Sequence, residues 1–530
     1  MAQASPRVRE PGPRCRRRLV CSPDQPASKM SGARTAAALC LLRAAGGQQA
    51  SVSLTEEHPP LTVFTCTATA ACAPERGGLT LDAQYRWVHA AAGDDATKND
   101  VPKNCLSDGA WNKELCPDPA ACAKNCAVEG LTKDGYKNTY GISRVDNGFK
   151  LEYLTEGGGS RVHLAGKEDS YKVLALKNRE ISFDVDVSTL PCGLSSTLTL
   201  TPMDPDGEMG IGDNKAGAVY GLGRCDASCT RSVKFSRGQA NLDGWDAATG
   251  TGAMGSCCPE LRLWEANKET QSMSLHACAS SEPEKCVGDE CARKCDSMGC
   301  QFDPLALGAM DFFGPGARVD SSKPITVVTQ FITEDGTDTG KLSKVRRFYT
   351  QNGQTIENAK PDASTFPTLL SSNSVTDEFC AAQKELQGTS AGEGYLGRLS
   401  AALDNGVVLT AAVFETESPA GPCKGADASA ASNASVSFFN IMYGEITSTC
   451  PTCDDQVTRE ARGNDEEESE QVVVADAAKK AAPKPFVQTD AFRYIMYGAG
   501  ILTLGLVGST CASGKSAGFR PPAGNPRGRR

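Results

Sequence analysis

Gly255-Ser-Cys-Cys-Pro-Glu-Leu-Arg-Leu-Trp-Glu-Ala-Asn267 is the stretch on which the reading of the whole chain turns. Leu261, Leu263 and Trp264 form an apolar run suited to a strand, with one glutamate at each end, Glu260 and Glu265. Successive side chains of a strand alternate between faces, so an interval of five sends the two glutamates to opposite sides. A β-bulge between them would restore a common face. On spacing alone, two such glutamates read equally well as solvated charges. The adjacent Cys257 and Cys258, just upstream, are the second signal in this stretch.

The cysteines extend that signal outward. The chain has 24, and 18 of them lie between Cys66 and Cys423. Zinc sites favour paired CxxC or Cys/His spacings. Here the spacings are irregular and only four histidines exist. The pattern reads as a disulfide framework built in an oxidising, secretory compartment, with no metal.

Around the quoted stretch, from about Ser51 to residue 447, run many short strand candidates. Ile181-Ser-Phe-Asp-Val-Asp-Val187 places Ile, Phe, Val and Val on one face and Ser, Asp and Asp on the other. Ile325-Thr-Val-Val-Thr-Gln-Phe331 and Val436-Ser-Phe-Phe-Asn-Ile-Met442 are apolar and β-prone with imperfect alternation. Turn clusters such as Asp204-Pro-Asp-Gly207 and Gln351-Asn-Gly353 separate the strands, and long helical patterns are absent. The fold class is therefore all-β, a two-sheet sandwich or jelly roll. A net charge of −9 makes nucleic acid a poor partner.

The ends read differently. Residues 1–50 carry nine Lys/Arg against two acids, and Ala36-Ala-Ala-Leu-Cys-Leu-Leu42 is a short apolar run cut off by Arg43. It reads as a signal peptide starting at Met30, or as a basic tail. Residues 448–490, with Asp465-Glu-Glu-Glu468 and Ala481-Ala-Pro-Lys-Pro485, read as an acidic flexible stalk. Cys450-Pro-Thr-Cys453 at its start reads as a tight disulfide loop rather than a redox pair. Residues 494–514 contain no charged side chain and are long enough to span a bilayer as one helix. The basic residues 515–530 behind it would then be cytosolic. The alternative is a Gly-rich segment that does not insert.

The chemistry sits in the two glutamates. Retaining glycosidases use two carboxyl groups about 5–5.5 Å apart, one attacking the anomeric carbon and the other protonating the leaving oxygen and then activating water. The surroundings of the pair favour this chemistry. A Glu-x-x-x-x-Glu interval following a Cys-Cys pair and followed by Ala-Asn resembles the signature of glycoside hydrolase family 7, the cellobiohydrolases and endo-β-1,4-glucanases. The resemblance extends over roughly 400 residues. It runs through Glu57-His-Pro-Pro-Leu61, Tyr85-Arg-Trp-Val-His89, Cys122-Ala-Lys-Asn-Cys126, Leu190-Pro-Cys-Gly-Leu194 and Lys215-Ala-Gly-Ala-Val-Tyr-Gly221. It continues in Gln239-Ala-Asn-Leu-Asp-Gly-Trp245, Phe313-Gly-Pro-Gly316 and Tyr349-Thr-Gln-Asn-Gly353.

The resemblance implies a curved, concanavalin A-like β-sandwich with long loops and a long cleft, a β-glucan substrate, and retention of anomeric configuration without a cofactor. It implies Glu260 as nucleophile and Glu265 as acid/base. His276 would lie in the cleft close to them, Asp226 on the cleft wall, and Trp87 would stack a sugar near the entrance. It also implies nine disulfides: Cys66–Cys72, Cys105–Cys126, Cys116–Cys122, Cys192–Cys423, Cys225–Cys258, Cys229–Cys257, Cys278–Cys295, Cys286–Cys291 and Cys300–Cys380.

The chain departs from the family in the site itself. Arg262 stands where the signature has an Asp that hydrogen-bonds the nucleophile. Arg is always charged and forks onto carboxylates, so it is expected to contact Glu260 or occupy the sugar-facing floor. Arg224, Ser228, Ser195, Thr199 and Tyr85 replace the family's Tyr, Gln, Asn, Tyr and Trp. A loop between Cys291 and Cys295 and a Trp-rich segment before Cys423 are missing. Fewer loops imply an open, endo-type groove. The competing expectation is a glucan-binding surface protein on the same scaffold with little or no activity.

Overall fold

The computed structural model describes residues 48–51, 53–91, 102–154, 158–362, 372–390, 394–416, 421–426 and 433–450. The basic N-terminal segment (apart from residues 48–50), the stalk beyond residue 450, the 494–514 segment and the tail therefore lie outside the described residues. Among the described residues no helix is long and apolar enough to cross a membrane.

The strands that build the sandwich are, in chain order, β1 (Pro60–Thr67), β2 (Ala70–Leu81), β3 (Gly148–Glu152), β4 (Ser160–Ala165), β5 (Arg179–Asp186), β6 (Leu194–Thr201) and β7 (Glu260–Ala266). They continue with β8 (Gln271–His276), β9 (Cys300–Phe302), β10 (Ile325–Thr333), β11 (Leu342–Gln351), β12 (Val407–Glu415) and β13 (Ser435–Glu445). Their pairings define two layers. The front sheet has the order β9-β8-β7-β6-β12-β4-β2, all antiparallel. The back sheet has the order β3-β13-β5-β10-β11, also antiparallel. β1 joins the layers, pairing antiparallel with β2 and parallel with β13. The expected all-β sandwich is what the chain forms.

Period-two alternation places the core. On β5, Ile181, Phe183 and Val185 are fully buried between the sheets, as their alternation with polar residues requires. The two irregular segments have physical explanations. In β13 two residues, Asn440 and Ile441, lie opposite the single Phe183, and Asn440 takes φ 50°. This bulge lets Phe438 and Ile441 both reach the core. In β10, Val328 faces outward rather than inward, where it packs with its partner Phe348 and with Cys450 in a small second cluster. All nine disulfides implied by the resemblance are present, pair for pair.

Candidate active site

The front sheet places the site through its register. On β7 and β8, Glu260 lies opposite His276 and Arg262 opposite Ser274, but Glu265 lies opposite Ser272. Leu263 and Trp264 therefore share the place of one residue, which is a β-bulge. The same extra residue appears against β6, where Trp264 pairs with Leu198 and Arg262 already pairs with Thr199. In a regular strand Glu265 would point into the sandwich. With the bulge, Glu260, Arg262 and Glu265 share the outer face, and Leu261, Leu263 and Trp264 are completely buried in the core. The interval of five is thus resolved in the way a common site requires.

A bulge disrupts the ladder and leaves backbone groups seeking partners. The Leu263 carbonyl finds one from the opposite sheet. Arg347, on β11 and only 2 % exposed, crosses the core and donates from Nη2 to Leu263 O, and also to Thr329 Oγ1 at 3.1 Å. This buried guanidinium beneath the glutamate strand escaped the sequence reading. Its one legible signal was a charged residue at the inward position of a strand, between Val345 and Tyr349.

Arg262 bridges the glutamates. Its Nε donates to Glu260 Oε1 at 3.2 Å and its Nη1 to Glu265 Oε2 at 2.6 Å. Glu260 is 5 % exposed and also accepts from the Ala227 N–H at 3.3 Å. Burial alone would raise its pKa. The charge of Arg262 overrides that, helped by the hydrogen bonds from Arg262 and the Ala227 N–H, and holds the carboxyl below the usual range. His276, 3 % exposed, is pushed down by burial first and by Arg262 next, against the pull of Glu260 and Asp296. It lies 2.8 Å from Ser274 Oγ through Nε2. Burial works against the Arg262 charge too, but the two carboxylates reverse this and raise its pKa.

The remaining predicted residues divide. Asp226, 8 % exposed, accepts from Arg224 Nη2 at 2.6 Å, from Ser228 Oγ at 2.7 Å and from the Thr230 N–H at 3.0 Å. It anchors the loop whose Ala227 N–H holds Glu260, so it borders the site through the backbone. Trp87 stands apart from the carboxylates. Half-buried, it donates from Nε1 to Asn104 Oδ1 at 2.6 Å, and its ring lies 4.4 Å from His89.

The register also brings in residues not singled out beforehand. The row through Arg262 continues across Thr199 and Thr410 to His163. His163 is completely buried, with Nδ1 2.9 Å from Thr410 Oγ1 and Nε2 3.7 Å from Asp82. Burial is the main reason its pKa falls to about 4. Asp82 also faces Arg161 at 3.1 Å and Arg224 at 3.6 Å, so an alternating chain of charges runs from Arg161 to Asp226 along this face.

Two cysteine trios, Cys105/Cys116/Cys126 and Cys229/Cys257/Cys286, bring their sulfurs close enough to suggest a metal. All six are already in disulfides, which removes the thiolates a metal needs.

The profile of Glycosyl hydrolase family 7 matches residues 50–421. Among solved structures, the chain is similar to a family 7 cellobiohydrolase from Daphnia pulex, with 35% identity, a TM-score of 0.71, and coverage of 76% of this chain and 100% of that one. It is similar to the Humicola insolens endocellulase EGI, with 32% identity, a TM-score of 0.63, and the same coverage of 76% and 100%. It is also similar to a Melanocarpus albomyces cellobiohydrolase complexed with cellotetraose, with 30% identity, a TM-score of 0.65, and coverage of 76% and 99%. The front sheet with its bulged glutamate strand, the nine disulfides and these matches lead to one assignment: the chain belongs to glycosyl hydrolase family 7.

Proposed function

We propose that this protein hydrolyses β-1,4-glucosidic bonds of cellulose or a related glucan with retention of configuration, in an open groove on the front sheet. The observation that carries the reading is the bulge in β7, which gives Glu260 and Glu265 a common face within reach of one guanidinium. A gap spanned by one guanidinium and two hydrogen bonds matches the scale of the about 5–5.5 Å separation of a retaining pair. Glu260, held ionised, is the nucleophile. It attacks the anomeric carbon while Glu265 delivers a proton to the leaving oxygen. Glu265 then takes a proton from water, which opens the glycosyl-enzyme bond. His276, neutral beside Glu260, and Asp226, at the end of the charge chain, border the sugar, and Trp87 stacks a ring further along. The missing loop after Cys291 and the short path to Cys423 support an endo-type groove.

Arg262 favours a second reading, in which the chain binds glucan on this scaffold without turning it over. One oxygen of Glu265, Oε2, already receives a hydrogen bond from Arg262 Nη1. The deciding experiment is release of a chromophore from an aryl β-cellobioside by the purified chain, with the anomer of the first product followed by NMR. Glu260→Gln and Glu265→Gln should each abolish most of the release, because each removes a distinct step. Binding of cello-oligosaccharide without any release would establish the second reading. For location, the disulfide framework fits the secretory pathway, and residues 494–514 would anchor the domain at the cell surface. Protease protection of the domain but not of residues 515–530 in sealed vesicles tests this.

A further inference from the structure

Behind His276 lies a second polar cluster that the mechanism above does not use. His276 Nδ1 is 3.1 Å from the backbone carbonyl of Asp296, which can only accept, so the nitrogen carries the proton and donates it. The loop that brings this carbonyl in is pinned at both ends by Cys278–Cys295 and Cys300–Cys380. It is also pressed onto the imidazole. Gly299 has φ +63°, and a Cβ built there would lie 2.6 Å from His276 Cε1 and Nδ1. Only a glycine allows this approach.

The carboxylate of Asp296 points the other way, into two helices. Helix α1 (Asp377–Leu386) is started by Thr376, whose side chain accepts from the Phe379 N–H, and α2 spans Tyr395–Asp404. Cys380 and Lys384 sit one turn apart on α1 and so share a face. The disulfide from Cys380 to Cys300 therefore lays Lys384 onto Asp296. Lys384 is 2 % exposed, and its Nζ lies 2.8 Å from Oδ1 and 2.7 Å from Oδ2. From α2, the Tyr395 hydroxyl accepts from the Ala277 N–H at 3.3 Å, and its one proton is shared between Leu275 O at 2.8 Å and Asp296 Oδ2 at 2.9 Å. A lysine is almost never fully buried unless its charge is paired, and this one is spent on a single carboxylate one residue layer behind the catalytic sheet.

We propose that Lys384, through Asp296 and with Tyr395, is a positioning residue for His276: it fixes the proton on Nδ1 and keeps the imidazole neutral beside Glu260. The charges and titratable groups facing His276 are Glu260 and Arg262 from β7, Asp296 from the loop, and Lys384 and Tyr395 from the helices. Lys384 balances Asp296, and the other cation facing the ring, Arg262, is shared between Glu260 and Glu265. Without Lys384, the Asp296 carboxylate would draw a second proton onto the imidazole, and a charged His276 would compete for Glu260. The functional value of this arrangement rests on the hydrolytic reading above, whereas the arrangement itself does not.

The test uses histidine labelled at Cε1 and a pH titration by NMR, with His276→Gln to identify its signal among the four histidines. Relative to the unaltered chain, Lys384→Met should raise the midpoint of His276 by roughly 0.5–1 pH unit and Asp296→Asn should lower it by a similar amount. Lys384→Arg should return it close to the starting value. Equal or absent shifts in Lys384→Met and Asp296→Asn would overturn the proposal, because a merely structural role gives no opposite signs. Should Lys384→Met not fold, Asp296→Asn and Lys384→Arg still decide: no downward shift in the first, or a large shift in the second, sinks it. The acid limb of turnover should move in the same directions. A chain that titrates as stated yet turns nothing over leaves the positioning role standing and removes the hydrolytic reading alone.

Discussion

Replacing Arg262 by Asp restores the acid of the family signature and removes the bridge in one step. In the present site Arg262 donates to Glu265 Oε2 at 2.6 Å and to Glu260 Oε1 at 3.2 Å. A positioned general acid contributes about 10²–10⁴-fold, or roughly 3–5 kcal/mol of barrier. Freeing the Glu265 oxygen should recover at least the lower end of that range. The gain must depend on the leaving group, because an activated phenol departs without a proton. The assay is kcat/KM for aryl cellobiosides of poor and good leaving groups, which reports glycosylation alone. Arg262→Asp should gain about 10²-fold on the poor leaving group and far less on the good one. The double change Arg262→Asp, Glu265→Gln should lose that gain. Some stability goes in exchange, since Glu260 is left without its counter-ion beside a new acid. Arg262 is about a quarter exposed, so the cost should be nearer 1–2 kcal/mol than the roughly 3–5 of a fully buried pair. A fall in kcat/KM on the poor leaving group, or equal gains on both, would show that Arg262 is a working part of the site and that the argument has the wrong sign.

Three further outcomes follow from the fold around the site. Arg347→Met should cut turnover at least about tenfold while changing stability by no more than about 1–2 kcal/mol. It strands the Leu263 carbonyl but also removes a buried charge, and denaturant melts beside kinetics separate the two effects. Opening Cys192–Cys423, which closes a loop of 231 residues, should cost roughly 2–5 kcal/mol in urea unfolding, with an unchanged melt as the contrary result. His163, buried and with its pKa lowered to about 4, binds its proton later in the folded chain than in the unfolded one. Its contribution is therefore intact above about pH 6.5 and is lost progressively as the pH falls towards 4, by roughly 3 kcal/mol. The stability difference between the chain and His163→Gln should narrow over that window, and a constant difference would show that the imidazole is not kept neutral.

Much of the sandwich was readable because its signals are local. The clean alternation of Ile181 to Val187 is the alternation of the core face of β5. The disulfide pairing was readable only through the family resemblance, since irregular spacings alone leave the partners open. The bulge between Glu260 and Glu265 was legible from their odd interval, whereas an inserted residue without such a pair to flag it was not. Val436 to Met442 breaks its alternation because Asn440 sits in a bulge; Asn tolerates the φ of 50° found there, but that tolerance alone does not place a bulge. Arg347, Lys384 and His163 were missed for a related reason. Each is a charged or titratable residue made tolerable inside by partners far away in the chain: Leu263, Asp296 and Thr410.

The same bulge ties Arg262 to catalysis in a way that residue type alone does not. Positions 260 and 262 share a face because a strand repeats every two residues, and position 265 joins them only because Leu263 and Trp264 occupy one place in the ladder. Whatever stands at 262 is thus forced between the two carboxylates. An acid there adds a third carboxylate and makes the trio share protons, which suits a site that must keep one carboxyl protonated and one ionised. A guanidinium there, with five donors in a rigid fork, satisfies both carboxylates at once and needs no proton from either. On the proposed mechanism, the backbone that brings Glu260 and Glu265 onto one face therefore also makes an Asp-to-Arg change at 262 act on both steps of the reaction rather than on one. A change at Ser274 or Thr199, the residues flanking Arg262 in the same row, cannot have that reach, because neither lies between the two carboxylates along β7.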